Sequence, residues 1–238
     1  MGCCAGFKEP RTIHGTACQR HSVGYRKLTE TEVRNMKIIL IIALIGHIIC
    51  CICDYIITYT PNGKFGIADL KNNEKLSARF KNMPTSRQMI SMLVGIAAMA
   101  MQVCGYFALA DNMRKTASVC AVIMAIGAVI YISFGVAHHI ICGLLEWFYI
   151  KFDRTEKARV TILEFFRKTS VTMIACYLAI AIMSAALFIG IITGGTTAPA
   201  WACVFNNVIF FIVLTPFKIT GAGNIAGALT FLGLLIFM

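Results

Sequence analysis

A chain of 238 residues with 58% hydrophobic and only 14% charged side chains is more apolar than soluble domains, which run at roughly 45–50% and 25%. Its apolar residues fall in unbroken blocks, and about 20 in a row suffice for a helix to cross a hydrocarbon core of about 30 Å. A water-soluble globular domain is therefore excluded. The net charge of +11 does not mark a nucleic-acid binder, because the Lys and Arg residues lie between the apolar blocks, where loops meet anionic headgroups, and form no soluble basic face.

In chain order, residues 1–35 form a polar, basic N-terminal tail, and residues 36–238 form the expected transmembrane domain. The tail carries Cys3, Cys4, His14, Cys18 and His21, which are zinc-type ligands in a spacing that matches no finger pattern. Its MGCC start lacks the Ser or Thr that myristoylation asks for at position six, where Gly6 stands. Thr29 and Glu32 have capping-box spacing, which predicts a helix starting near residue 30 and running into the first span, residues 36–57. Met36 itself reads like a chain start, which leaves the status of the tail open, and no cleavable signal peptide is expected.

Residues 58–88 read as a polar loop with a turn at Pro61, Asn62 and Gly63. The second span is residues 89–110, followed by a short charged link. The third, residues 117–145, is so long that it must tilt or leave the membrane near Glu146, with Trp147, Phe148, Tyr149 and Lys151 as an interfacial anchor. Residues 151–170 mix charges with Val160, Ile162, Leu163, Phe165 and Phe166, the composition of a helix lying on the membrane surface. Three further spans are expected over residues 171–192, 200–214 and 222–238, the last two near the lower limit of length. The runs are continuous and do not alternate, so a helix, which satisfies its own backbone, is favoured over a barrel. The fold class predicted is thus all-α, a polytopic transmembrane helix bundle with about six spans.

In this layout loops one, three and five hold 13 Lys and Arg, against 9 for the tail, the remaining loops and Lys37 at the start of the first span. The positive-inside rule then places loops one, three and five in the cytoplasm and both termini outside, in a cytoplasmic cell membrane. A chain beginning at Met36 would sharpen the balance to 13 against 3.

Ionisable and amide side chains inside apolar blocks carry the functional signal, because a charge in hydrocarbon costs a few kcal/mol or more. His47 and Asp54 stand seven residues apart, as do His139 and Glu146, with His138 alongside. Seven residues is two helical turns, so each pair shares a face. Asn206, Asn207 and Asn224 add amides from later blocks, and Gln102 from the second. One reading is a polar intramembrane cavity that handles a proton, a small molecule or a lipid headgroup, His and carboxylate together holding or passing a proton. The other places Asp54 and Glu146 at helix ends in the headgroup zone and makes the histidines ordinary interhelical donors. Whether such a cavity would serve a transporter, a membrane enzyme acting on a lipid or isoprenoid, or a non-catalytic partner protein of immunity type stays open at this point, as does the oligomeric state.

No metal and no cofactor is expected. Adjacent His138 and His139 point about 100° apart on a helix and rarely share an ion, and the twelve Met form no regular cluster of the kind a copper path needs. Eight of the eleven Cys (Cys50, Cys51, Cys53, Cys104, Cys120, Cys142, Cys176 and Cys203) lie in the apolar blocks and read as soft packing residues. Gly221, Gly223 and Ala226 match a dinucleotide-binding pattern that needs a strand before it, and none is expected here. Gly223 with Gly227, and Gly190 with Gly194, instead read as small-residue pairs for helix packing.

HHIICGLLEW at 138–147, the Asn206–Asn207 pair and TPFKITGAGNIAG at 215–227 resemble a group of bacterial six-span membrane proteins defined only as a domain of unknown function. The resemblance covers residues 36–238 and implies the fold without an activity. There is also a loose similarity to sterol-isomerase-type membrane proteins, in which intramembrane His, Glu, Asn and Trp line a lipid pocket. Block order and motifs differ from that pattern, so no residue roles carry over.

Overall fold

The computed structural model describes residues 29–238, so the Cys and His cluster of the tail and its MGCC start lie outside the described residues. Apart from one two-residue hairpin, the regular structure among these residues is helical.

The first helix, α1 (Glu30–Thr58), opens on a capping box: the Thr29 hydroxyl accepts from the Glu32 backbone N–H, and the Glu32 carboxylate accepts from the Thr29 backbone N–H. Both of its faces are apolar. Ile38, Ile41, Ile45, Ile48 and Ile52 point outward, while Leu40, Ala43, His47, Cys50 and Cys53 point inward. A helix that is greasy all round suits lipid on one side and protein on the other. At its C-terminal end Arg87 donates to the Ile56 and Tyr59 carbonyls, which satisfies acceptors the helix leaves open.

The hairpin β1 (Tyr59–Thr60) and β2 (Gly63–Lys64) follows, with Gly63 at φ +109° in its turn. The next helix, α2 (Asn73–Arg79), is short. Loop one is thus ordered structure: Leu76, Phe80 and Met83 pack on Tyr149 and Ile162, and the Tyr149 hydroxyl donates to Asn73 Oδ1 at 2.8 Å.

Four long segments come next: α3 (Ser86–Met113), α4 (Ser118–Lys151), α5 (Glu156–Thr169) and α6 (Val171–Ile192). Helix α4 continues past Glu146, and Lys151 lies over the Trp147 ring at 5.5 Å. Thr155 caps α5, which buries Ala158 and Ile162 and exposes Val160 and Phe165. Arg159 pairs with the Glu156 carboxylate while donating to the Leu70 carbonyl of loop one at 2.7 Å, and on the exposed face Lys168 pairs with Glu164 at 2.6 Å. A single residue, Ser170, separates the end of α5 from the start of α6.

Among the described residues, four helical stretches are long and apolar enough to cross a membrane: Glu30–Thr58, Ser86–Met113, Ser118–Lys151 and Glu156–Ile192. The remaining apolar residues form two shorter helices, α7 (Asn207–Leu214) and α8 (Ala222–Phe237). Residues 200–214, expected as one continuous span, are broken. A 3-10 turn at Ala200–Val204 is followed by α7, with Asn206 at the break. Asn206 caps α7 by accepting from the Val208 N–H and donates to the Ser184 carbonyl of α6 at 2.8 Å. Irregular backbone at such a level of an apolar bundle is tolerated when protein encloses it or it lines a cavity.

Neighbouring helices alternate in direction. Helix α1 packs on α3, α3 on α4, α4 on α6, α6 on α7, and α7 on α8, which returns to α1. The segments so form a closed ring, with α1 and α4 running the same way. Its apolar plug includes Leu40, Ala43, Tyr106, Leu109, Met113, Met124 and Phe231.

Glycines set the helix spacing. A Cβ at Gly190 would meet Met113 Sδ at 2.3 Å, and one at Gly227 would meet the His47 ring at 2.2 Å, so both are close-contact points. The other half of each expected packing pair behaves differently. Gly194 has φ +74° and serves the turn after α6, and Gly223 has nothing within 4 Å of a Cβ. The pairs fail because residues four apart on a helix share a side without sharing a neighbour. Comparably close contacts occur at Gly46, Gly95 and Gly105, which no pattern in the sequence singled out.

Candidate functional site

Inside the ring lies a cavity of about 510 Å³. Helices α1, α4, α6 and α8 supply its walls, α7 adds Asn207 and Phe211, and residues 215–221 close one end with Lys64 of β2. Lys64 donates to the Lys218 carbonyl at 2.9 Å, so two exposed lysines stand at this end. Towards the other end His47 and Tyr131 line the wall, next to the plug.

Asn224, in the first turn of α8, is the hub of the polar wall. Its Nδ2 donates to Asp54 Oδ2 at 2.8 Å. Its Oδ1 accepts from Gln102 Nε2 at 3.1 Å and lies 3.3 Å from His47 Nδ1. Gln102 also donates to the Gly46 carbonyl at 3.2 Å and accepts from the Tyr131 hydroxyl. Because Asn224 Oδ1 can only accept, the neutral His47 ring carries its proton on Nδ1, and the buried Nε2 has no hydrogen-bond partner among the described residues. The His47 ring is packed against Gly227, Phe231 and Tyr106.

The other side of Asp54 faces α4. Its Oδ1 lies 3.8 Å from His139 Nδ1. His139 Nε2 sits 3.0 Å from the Ser91 carbonyl, which can only accept, so in the neutral ring the proton is on Nε2 and Nδ1 is bare. Gly95 makes room for this ring: a Cβ there would meet His139 Nε2 at 2.2 Å. Ser91 donates in turn to the Cys53 carbonyl at 3.0 Å. Cys50, one turn before Asp54 on α1, lines the same stretch of wall.

Of the residues singled out in the sequence, His47, Asp54, His138, His139, Asn207 and Asn224 line this cavity together. Glu146 and Asn206 do not. Glu146 lies seven residues, about 10.5 Å, beyond His139 along α4, where its Oε2 accepts from Gln88 Nε2 at 3.2 Å. It borders a second, apolar chamber of about 230 Å³ enclosed by loop one, α4 and α5. His138 and Cys142 border both spaces, and His138 is tied to Thr172 Oγ1 at 3.4 Å and Cys142 Sγ at 3.5 Å. Asn206 acts on the backbone of α7, as described above. Ser91, Gln88 and Tyr131 were missed: a single hydroxyl or amide in an apolar run carries no periodic signal, and only the neighbouring helix gives it a role.

These features define a class, an α-helical membrane protein with a polar chamber walled by acidic, imidazole and amide groups from different helices. The chain belongs to a family of unknown function, DUF6796, whose model matches residues 27–238, from just before the Thr29 cap to the last residue. No curated protein and no solved structure matches it.

Proposed function

We propose that the protein is a six-segment protein of the cytoplasmic membrane that takes a small polar molecule or lipid headgroup into the central cavity and passes it across the bilayer. The observation that carries this reading is the polar wall itself. Asp54, His139, Asn207 and Asn224 come from four different helices and converge on one chamber of about 510 Å³, a size in the range of ligand sites. Polar groups in apolar helices are costly and usually mark a pathway or a ligand. The broken segment at Asn206 adds support, since interrupted helices beside a midplane chamber are the usual architecture of transporter binding sites.

The test uses proteoliposomes holding the full chain and a panel of small radiolabelled polar solutes. Uptake of at least one solute above empty liposomes is expected, and Asn207→Leu, which intrudes on the chamber, abolishes it. No solute taken up, or uptake indifferent to Asn207→Leu, overturns the reading. A changed lipid species without flux favours instead an enzyme acting on a lipid or isoprenoid. One observation speaks for that second reading: Glu146 and His138 border an apolar chamber adjoining the polar one, where an acyl or isoprenoid tail could lie.

The orientation proposed puts the lysine-bearing end of the cavity in the cytoplasm, with residues 1–35 outside. Cysteines introduced at Lys75 and Lys157, both exposed, are expected to react with an impermeant maleimide from the cytoplasmic side only. A cysteine at Thr197 reacts from the opposite side only; Thr197 serves better than its neighbour Thr196, which is buried. Cytoplasmic labelling of Thr197→Cys reverses the orientation.

A further inference from the structure

We propose that Cys50 and Asp54 of α1 and His139 of α4 hold a divalent transition-metal ion of the zinc class at the cavity wall. The ligand atoms of these three side chains lie within 4.8 Å of one another. Cys50 and Asp54 are one helical turn apart on one face, and His139 reaches them from α4, which packs on the far side of α3 in the ring.

Three features point to a cation at this spot. The first is the face-to-face placement of two acceptors. His139 Nε2 is committed to the Ser91 carbonyl, so neutral His139 presents a lone pair at Nδ1 to Asp54 Oδ1 across 3.8 Å. Two lone pairs facing one another need a positive charge between them. A proton would serve a carboxylate and an imidazole alone, but the Cys50 sulfur converges on the same point, and thiolate, imidazole and carboxylate together form a donor set that suits zinc.

The second feature is the support behind the ligands. Metal-binding His residues almost always donate their other N–H to a carbonyl, carboxylate or water, which locks tautomer and ring. Here the Ser91 carbonyl does so, while Ser91 Oγ is anchored on the Cys53 carbonyl. The carboxylate is oriented as well, Asn224 Nδ2 holding Asp54 Oδ2 and leaving Oδ1 for the ion.

The third is the open side. Three protein ligands with a free position against a chamber is the pattern of zinc sites that bind a water or a substrate, whereas closed structural sites use four. Ligands about 2.0–2.3 Å from a tetrahedral ion lie roughly 3.3–3.8 Å apart, so closing the present spread takes side-chain rotations of about an ångström, with both helices left in place. His138, adjacent to His139, is turned to Thr172 and Cys142 and stays outside the set.

The proposal goes beyond the transport reading, and the two fail separately. The test is titration of the metal-free full chain in detergent with Co²⁺, followed by absorption spectroscopy. One equivalent is expected to give tetrahedral d–d bands and a thiolate-to-cobalt charge-transfer band, both bleached by Zn²⁺. Cys50→Ser removes the charge-transfer band, His139→Asn weakens binding at least tenfold, and Cys142→Ser changes neither. Should Cys50→Ser fold poorly, Asp54→Asn, which keeps the thiolate, is expected to weaken Co²⁺ binding at least tenfold, and unchanged affinity in that variant overturns the proposal. The proposal is overturned by the absence of a charge-transfer band in the native chain. It is equally overturned by a band that survives Cys50→Ser, which would place the ion on another thiol, such as those of the N-terminal tail. Solute uptake is scored apart from this, with Asn207→Leu, which touches none of the three ligands.

Discussion

Gly46→Ala is expected to destabilise the solubilised protein by about 1–3 kcal/mol, the usual cost of overpacking a well-filled interior. The added Cβ would stand 2.6 Å from the Ala98 carbonyl oxygen, 2.9 Å from Met101 Cβ and 3.0 Å from the Gln102 backbone N. Two of these are backbone atoms of α3 and cannot rotate aside, so α1 and α3 must move apart. The separation also strains the site, because the Gly46 carbonyl accepts from Gln102 Nε2, and Gln102 in turn holds Asn224 and Tyr131. Gly223→Ala is the matched control. Among the described residues nothing lies within 4 Å of a Cβ there, and replacing a glycine by alanine gains roughly 0.5–1 kcal/mol in a helix interior and less in a first turn such as this one. Thermal unfolding in one detergent, read on both variants, checks the contrast. Equal midpoints for the two would mean that α1 and α3 are not in the tight contact described.

Asn224→Ala has the second large effect, a loss of roughly 2 kcal/mol together with the loss of solute uptake. Three polar contacts between α8 and its neighbours go at once, to Asp54, Gln102 and His47. Side-chain bonds between membrane helices are each worth about 0.6 kcal/mol on average, since the separated helices also find partners, and the sum sets the scale. Asp54 suffers most, as its carboxylate then faces the cavity with Oδ2 unheld. A double-mutant cycle of Asn224→Ala with Asp54→Ala isolates their shared part. A coupling indistinguishable from zero would show that the Asn224–Asp54 bond does not hold α8 onto α1.

Much of the cavity wall was visible in the sequence because the cost of burying polarity in hydrocarbon makes each such residue conspicuous. The arrangement was not. His47 with Asp54 and His139 with Glu146 share faces at equal spacing, and the natural expectation sets the two pairs side by side. In the structure α1 and α4 run the same way but are offset by that same seven-residue step, so Asp54 meets His139 while Glu146 goes to Gln88. Periodicity specifies the side of a helix on which a residue sits. It says nothing about how far one helix slides along another, which the close contacts at Gly46, Gly95 and Gly105 decide.

The sequence alone determined the solvent, the helical class and the start of α1, because these follow from local properties: the length of an apolar run, its lack of alternation, and a cap whose partners are three residues apart. Tertiary structure alone decided the break in residues 200–214 ahead of α7, the ring closed by α8 on α1, and the grouping of Cys50, Asp54 and His139. Each of these depends on atoms far apart in the chain, and in a membrane the driving force between helices is close packing and polar pairing, which leaves no periodic trace in either partner.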